Sequence, residues 1–185
     1  MPLSFRENVS LAPLTTFGVG GSARYLAEIS RESELPEALS FADRNSLPIF
    51  VLGGGSNLLV PDEGYPGLVL RLQIGGIERE GDKFTAGAGV EWDKFVDRAV
   101  AEDCAGVECL AGIPGSVGGT PVQNVGAYGQ EVAETIVGVR VYDRAGRRFW
   151  NMTAEECHFR YRASIFNTDE RNRYIVTQVT YSLRP

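Results

Sequence analysis

The sequence holds a single histidine, His158, and three cysteines, Cys104, Cys109 and Cys157, with no CxxC spacing among them. A structural zinc would lack a plausible fourth ligand in that set, so no metal is expected. An odd cysteine count without regular spacing also argues against a disulfide framework and for a reducing compartment. Nowhere is there an apolar run long enough to span a bilayer, and the N-terminal stretch "MPLSFRENVSLAPL" has no positively charged start followed by an apolar segment. The resulting expectation is a cytoplasmic chain with no membrane attachment. Basic charge is scarce as well: 18 Lys and Arg against 24 Asp and Glu give a formal net charge of −6 and a pI near 4.9. Such a chain offers no basic field to a polyanion, which argues against nucleic acid as a partner and leaves small anionic ligands open.

What the sequence has in excess is glycine, 22 of 185 residues. The 18 residues from Gly112 to Gly129 hold six of them, where an even spread would give about two. Such clusters mark backbone that turns tightly or approaches a ligand closely. The rest is ordinary for a globular protein, with 43% hydrophobic and 23% charged residues.

Periodicity predicts an α+β fold. "ARYLAEI" (23–29) reads as a strand. "SELPEALSFADRN" reads as a helix, with Leu35, Ala38, Leu39 and Ala42 on one face, Pro36 in the first turn and Ser33 near the N-cap. "LPIFVLGG" (47–54) is a short buried strand, which completes a small βαβ piece. "GLVLRL" (67–72) and "KFTAGAGV" (83–90) are further strands around a turn, "GGIEREGD". In "EWDKFVDRAVAED" the residues Trp92, Phe95, Val96, Ala99 and Val100 form one apolar stripe of a helix. Periodicity then vanishes from Cys104 to Gln130, a length that is uncommon in a compact domain unless the segment is functional. "ETIVGVRVYDRAGRRFWNM" alternates as an antiparallel hairpin turning at Ala145 and Gly146, and "RYIVTQVTYSL" is a closing strand. The sum is a small βαβ subdomain followed by a larger, mainly antiparallel sheet with helices.

The stretch "VLGGGSNLLV" (51–60) places a glycine loop after a strand, where bare N–H groups can point at phosphate oxygens. It is neither of the common versions. A GxGxxG fingerprint starting at Gly53 needs a small residue at position 58, which is Leu58, and a Walker loop needs a Gly-Lys pair that is missing. Alone, the stretch fits a plain tight turn equally well. The second cluster, "GIPGSVGGTPVQNVGAYG", adds Ser116, Thr120, Gln123 and Asn124 as donors, and two such loops suit a long ligand with a central diphosphate, such as a dinucleotide.

Five motifs in order, "LTTFGVGG", "VLGGGSNLLV", "GAGVEW", "GIPGSVGGTPVQNVGAYGQE" and "CHFRYRASIF", closely resemble the UDP-N-acetylenolpyruvoylglucosamine reductase family of flavoenzymes, from about Leu11 to Leu183. The resemblance implies the FAD-binding fold of the vanillyl-alcohol oxidase type in two subdomains, residues 1–68 and 69–185. It implies non-covalent FAD, its diphosphate held by Gly53, Gly54, Gly55, Ser56 and Asn57. The run Gly112, Ile113, Pro114, Gly115, Ser116, Val117, Gly118 and Gly119 would pass beside the diphosphate and flavin ring, and Val176 would add a backbone contact.

In that family NADPH reduces FAD, and the reduced flavin passes a hydride to C3 of the enolpyruvyl group of UDP-N-acetylglucosamine enolpyruvate. Arg162 matches the family's catalytic arginine, suited to grip a carboxylate on which charge builds; without the motif it reads as a surface ion pair. Tyr161 would line the substrate pocket, and Gln123, Asn124 and Tyr128 would contact substrate or flavin. The serine that protonates C2 in this family, and its assisting glutamate, belong to a C-terminal substrate domain that the resemblance leaves absent from this chain; Ser116 and Ser164 cannot be given that role. Two readings follow, the flavin half of the reductase or an FAD-binding module without full turnover. A generic oxidase of the same superfamily fits "YRASIF" less well.

Overall fold

A computed structural model describes residues 3–185. It divides into two compact units, one ending at Ile74 and the other running from Gly75 to Pro185.

In the first unit a four-stranded sheet has the order β1-β2-β4-β3. Strand β1 (Arg6–Ser10) pairs antiparallel with β2 (Ser22–Ile29), whereas β2, β4 (Tyr65–Leu72) and β3 (Ile49–Leu52) run parallel. Helix α1 (Leu35–Arg44) carries the chain from β2 to β3 and buries Leu35, Ala38, Leu39 and Ala42, the predicted face. Pro36 sits in its first turn, where its missing N–H has no partner to lose. Ser33, expected near the cap, instead lies in a preceding 3-10 turn (Glu32–Glu34). There the Glu34 carboxylate accepts the N–H groups of Ser30 (2.8 Å) and Arg31 (3.0 Å). Strand β3 is an edge strand and mostly half-buried, not the fully buried one expected.

Strand β4 is the strand that β2 and β3 flank, and Leu68, Val69 and Leu70 are wholly buried. The expected subdomain boundary at 68/69 would therefore cut a central strand; the division between Ile74 and Gly75 keeps it whole. The twelve residues between β3 and β4 contain no helix. Leu58 and Val60 of this connection pack with Leu11, Ala23, Leu26, Leu52 and Val69, so the glycine loop is part of a connection that itself covers apolar residues of the sheet.

The second unit is built on a five-stranded antiparallel sheet, β10-β9-β11-β6-β5. Its strands are β5 (Ile77–Glu80), β6 (Lys83–Gly87), β9 (Ile136–Asp143), β10 (Arg148–Thr153) and β11 (Tyr174–Ser182). The stretch read as a turn holds β5, which pairs with β6 as a hairpin. The predicted closing strand β11 is the central one, bonded to β9 on one side and β6 on the other. Helix α2 (Trp92–Ala101) buries Trp92, Phe95, Val96 and Ala99, while Val100 is about half exposed. Phe95 lies 4.5 Å from Tyr181 between ring centres, and the Trp92 indole N–H donates to the Leu110 carbonyl at 2.9 Å. Between α2 and β9 the chain is mostly irregular, with a two-residue pair β7 (Gly126–Ala127) and β8 (Gln130–Glu131). Among the described residues no helix is long and apolar enough to cross a membrane.

Candidate functional site

Strand β3 delivers the first glycine loop. Gly55 has φ +68°, and a Cβ there would stand 2.0 Å from the Leu14 carbonyl oxygen, so only glycine fits both the conformation and the space. Its carbonyl accepts the Thr16 N–H at 3.0 Å, which fixes the loop from one side. Among the described residues the N–H groups of Gly53, Gly54, Gly55 and Ser56 donate to no backbone carbonyl. Consecutive N–H groups left without carbonyl partners are what an anion-binding nest requires, and they supply positive potential without any basic side chain.

The second glycine segment is organised differently. It runs antiparallel beside the start of α2 through a bridge between Glu91 and Ser116. Val117 donates to the Val90 carbonyl (2.8 Å), Gly118 to Ala88 (2.9 Å) and Gly119 to Ser116 (2.9 Å). Gly112 donates to the Asp93 carboxylate at 2.7 Å, and Ile113 donates weakly to Leu110 at 3.4 Å. These N–H groups are engaged within the fold, so they are not a second nest. Gly118 is required by packing, since a Cβ would come 2.5 Å from that of Ala88, whereas at Gly119 and Gly112 a Cβ would meet nothing within 4 Å. The turn is held from behind by Thr120, whose hydroxyl lies 2.7 Å from the buried Tyr181 hydroxyl on β11. Burial raises that tyrosine above its ordinary range and the Thr120 bond works against the shift, so it stays a neutral phenol.

Ser116 stands apart within this segment. It is 6% exposed, and its Oγ is the one buried side-chain polar atom among the described residues with no hydrogen-bond partner. Its N–H and that of Gly115 take no part in the bonds just described. A buried hydroxyl left unmatched costs about 1–3 kcal/mol, so a ligand oxygen at this point would remove a penalty that the fold otherwise carries. Within the second unit, that hydroxyl and the open side of Gly119 offer what a flavin dinucleotide could contact, and the loop of the first unit, taken by itself, offers N–H donors suited to a diphosphate.

Arg162 lies at the tip of a two-residue turn. Arg160 donates to Ala163 (2.9 Å) and Ala163 back to Arg160 (3.0 Å), leaving Tyr161 and Arg162 as the corner. Arg162 has φ +53°, a left-handed conformation that is uncommon for a long side chain. Tyr161 is 80% exposed, and the Arg162 guanidinium carbon lies 5.9 Å from its ring centre. The turn is tied to the glycine-rich segment twice. Asn124 Nδ2 donates to the Arg160 carbonyl at 3.0 Å, and Ser164 Oγ donates to the Val122 carbonyl at 2.7 Å.

Of the other residues singled out in the sequence, Asn124 is 1% exposed, and its amide also binds the Glu131 carboxylate (2.8 Å) and the Ala133 N–H (3.1 Å). The structure thus gives it internal partners, where a substrate contact was expected. Gln123 is half-buried, and Tyr128 is exposed with φ +51°. Val176 is buried on β11, paired with Val141 just before a bulge at Thr177. Sequence reasoning missed Asn167, whose Oδ1 accepts the Ser164 N–H (2.9 Å) while its Nδ2 donates to the Arg162 carbonyl (3.3 Å). Its only sequence signal was an asparagine shortly after "YRASIF", which is no more than turn composition.

The chain is similar to known proteins in sequence and in fold. Residues 23–150 match the family described as FAD binding domain. UDP-N-acetylenolpyruvoylglucosamine reductase of Thermobifida fusca is 47% identical over 188 aligned residues, covering 99% of this chain and 52% of that protein. The solved structure of UDP-N-acetylenolpyruvylglucosamine reductase (MurB) from Thermus caldophilus superposes with a TM-score of 0.83 at 35% identity, covering 99% of this chain and 64% of that one. In fold alone the chain is also similar to 6-hydroxy-D-nicotine oxidase from Arthrobacter nicotinovorans, with TM-score 0.63, 22% identity, and 87% and 36% of the two chains covered. This chain spans about half the length of the curated relatives it matches. With that match and that fold, the chain belongs to the FAD binding domain family, in the fold type of MurB and vanillyl-alcohol oxidase.

Proposed function

We propose that this chain is the flavin-binding part of a reductase that converts UDP-N-acetylglucosamine enolpyruvate to UDP-N-acetylmuramate, a peptidoglycan precursor, in the cytoplasm, with NADPH as electron donor. The observation that carries this reading is the buried, unpartnered Ser116 hydroxyl in a glycine segment whose relatives are named for that reaction.

When bound, FAD supplies the hydride chemistry between NADPH and the enolpyruvyl carbon. The N–H groups of Gly53, Gly54, Gly55 and Ser56, with the Ser56 and Asn57 side chains, would solvate its diphosphate, so an acidic protein would need no basic patch to hold it. Ser116 would donate one further bond to it, the Gly112–Gly119 run would flank it, and Val176 would lend a backbone contact. Arg162 grips the substrate carboxylate with two parallel N–H···O bonds and stabilises the charge that develops there. Tyr161 walls the substrate side and Gln123 makes a polar contact. Asn124 acts from behind, through the Arg160 carbonyl.

A second reading, an FAD-binding module that accepts electrons without completing the reaction, is favoured by one observation. Ser164 is buried and its hydroxyl proton is committed to the Val122 carbonyl, so it is not placed to protonate substrate. Visible spectra separate the two. The purified chain is expected to show bound-flavin absorbance after FAD is added, to bleach with NADPH under argon, and to regain colour with the enolpyruvyl nucleotide only if turnover is complete. Arg162→Ala is expected to keep the flavin and to slow substrate-dependent reoxidation by on the order of 10²–10³. A colourless chain indifferent to added FAD would overturn the flavin assignment.

A further inference from the structure

The left-handed corner at Arg162 is unfavourable for an arginine by about 1–2 kcal/mol, so something must hold it. The carbonyl on each side of the corner is gripped by an asparagine amide. Asn124 Nδ2 donates to the Arg160 carbonyl at 3.0 Å, and Asn167 Nδ2 donates to the Arg162 carbonyl at 3.3 Å. Each asparagine is itself immobilised through its oxygen, Asn124 by the Ala133 N–H and Asn167 by the Ser164 N–H. Asn124 too is left-handed, at φ +44°, and sits in the glycine-rich segment five residues after Gly119.

We infer that Asn124 and Asn167 form a clamp that locks the Arg160–Ala163 turn in its strained form and so aims the Arg162 guanidinium at its anionic ligand. The two are positioning residues that act through main-chain carbonyls and touch no substrate. Because Asn124 belongs to the glycine-rich segment, the clamp fixes the arginine to the segment assigned to FAD, not to the sheet alone. The lock is read directly from the turn; the ligand aimed at rests on the proposed function.

The Asn167→Asp variant keeps an oxygen for the Ser164 N–H and removes the donor to the Arg162 carbonyl. Thr168→Val is the control, since it removes one bond in the same segment, from Thr168 Oγ1 to the Ser164 carbonyl (2.6 Å), without touching the turn. Two readouts are taken on the full chain: the rate of tryptic cleavage after Arg162, and the dissociation constant of the enolpyruvyl nucleotide for the FAD-loaded chain. Asn167→Asp is expected to raise cleavage about tenfold, as loss of a bond holding the turn closed should, and to weaken nucleotide binding by a similar factor with FAD affinity unchanged. Thr168→Val is expected to change neither. Equal cleavage in the two variants would overturn the clamp. Faster cleavage in Asn167→Asp with unchanged nucleotide binding would overturn its positioning role. Failure of the unaltered chain to bind nucleotide would count against the proposed function, while the cleavage comparison would still decide the clamp.

Discussion

Gly55 and Gly119 differ in what a Cβ would meet, and this separates folding from binding. At Gly55 a Cβ would collide with main chain at φ +68°, so Gly55→Ala should destabilise the chain by about 1–3 kcal/mol whether or not FAD is present. At Gly119 a Cβ meets nothing of the protein, so Gly119→Ala should leave the melting temperature of the FAD-free chain almost unchanged and reduce the stabilisation that FAD confers. Thermal melts with and without FAD check both, and an FAD-independent loss in Gly119→Ala would remove that residue from the site. At this scale the sequence was informative about backbone and poor about side chains. Glycine announces a conformational need whatever surrounds it, and the Gly53–Asn57 loop was readable for that reason. Asn124 was legible as a donor but not as a partner of the Arg160 carbonyl, because that contact depends on a fold that brings residues 36 positions apart together; Asn167 was legible only as a polar loop residue, although the carbonyl it reaches is five positions away.

Elements were readable where one face was strongly marked. The stripe of α2 and the alternation of β9 and β10 survive because burial on one side imposes a period. β5 escaped notice because "IERE" is short, exposed and flanked by glycines, so no apolar pattern reveals it. The 67–72 run reads as a strand, yet the expected boundary at 68/69 cuts it, since a strand apolar on both faces does not say which sheet it joins. The β9–β10 hairpin carries an electrostatic prediction. Asp143 is 4% exposed; it receives a forked pair of bonds from Arg173 (3.1 Å each) and accepts the Ala145 N–H in the turn (3.0 Å). The Arg173 bonds hold its carboxyl below the ordinary 3.8. The unfolded chain therefore takes up the proton first, and between the two pKa values stability rises with pH. The contribution is complete above about pH 5 and is lost as pH falls through the folded-state value. Urea midpoints measured from pH 6 to pH 3 should fall on the acid side, and Asp143→Asn should flatten that limb while lowering stability near neutrality by about 1–3 kcal/mol.

For the whole molecule, the fate of the thiols reports on the second unit. Cys109 is exposed, while Cys104 and Cys157 are buried and reduced. Burial, with Glu156 nearby, pushes the Cys157 thiol up to about 12. A thiol reagent near neutral pH should therefore label Cys109 alone in the native chain and all three cysteines in denaturant, counted by mass. Rapid native labelling of Cys157 would mean that its end of β10 opens far more readily than its packing suggests. The same unit has a consequence in time. Its two hairpins, β5–β6 and β9–β10, are local and can form early, yet nothing joins them until β11 enters between β6 and β9. Until that strand arrives each hairpin presents an open edge that a neighbouring chain could pair with, so the risk of aggregation during synthesis is concentrated in the interval before residues 174–182 are made and inserted.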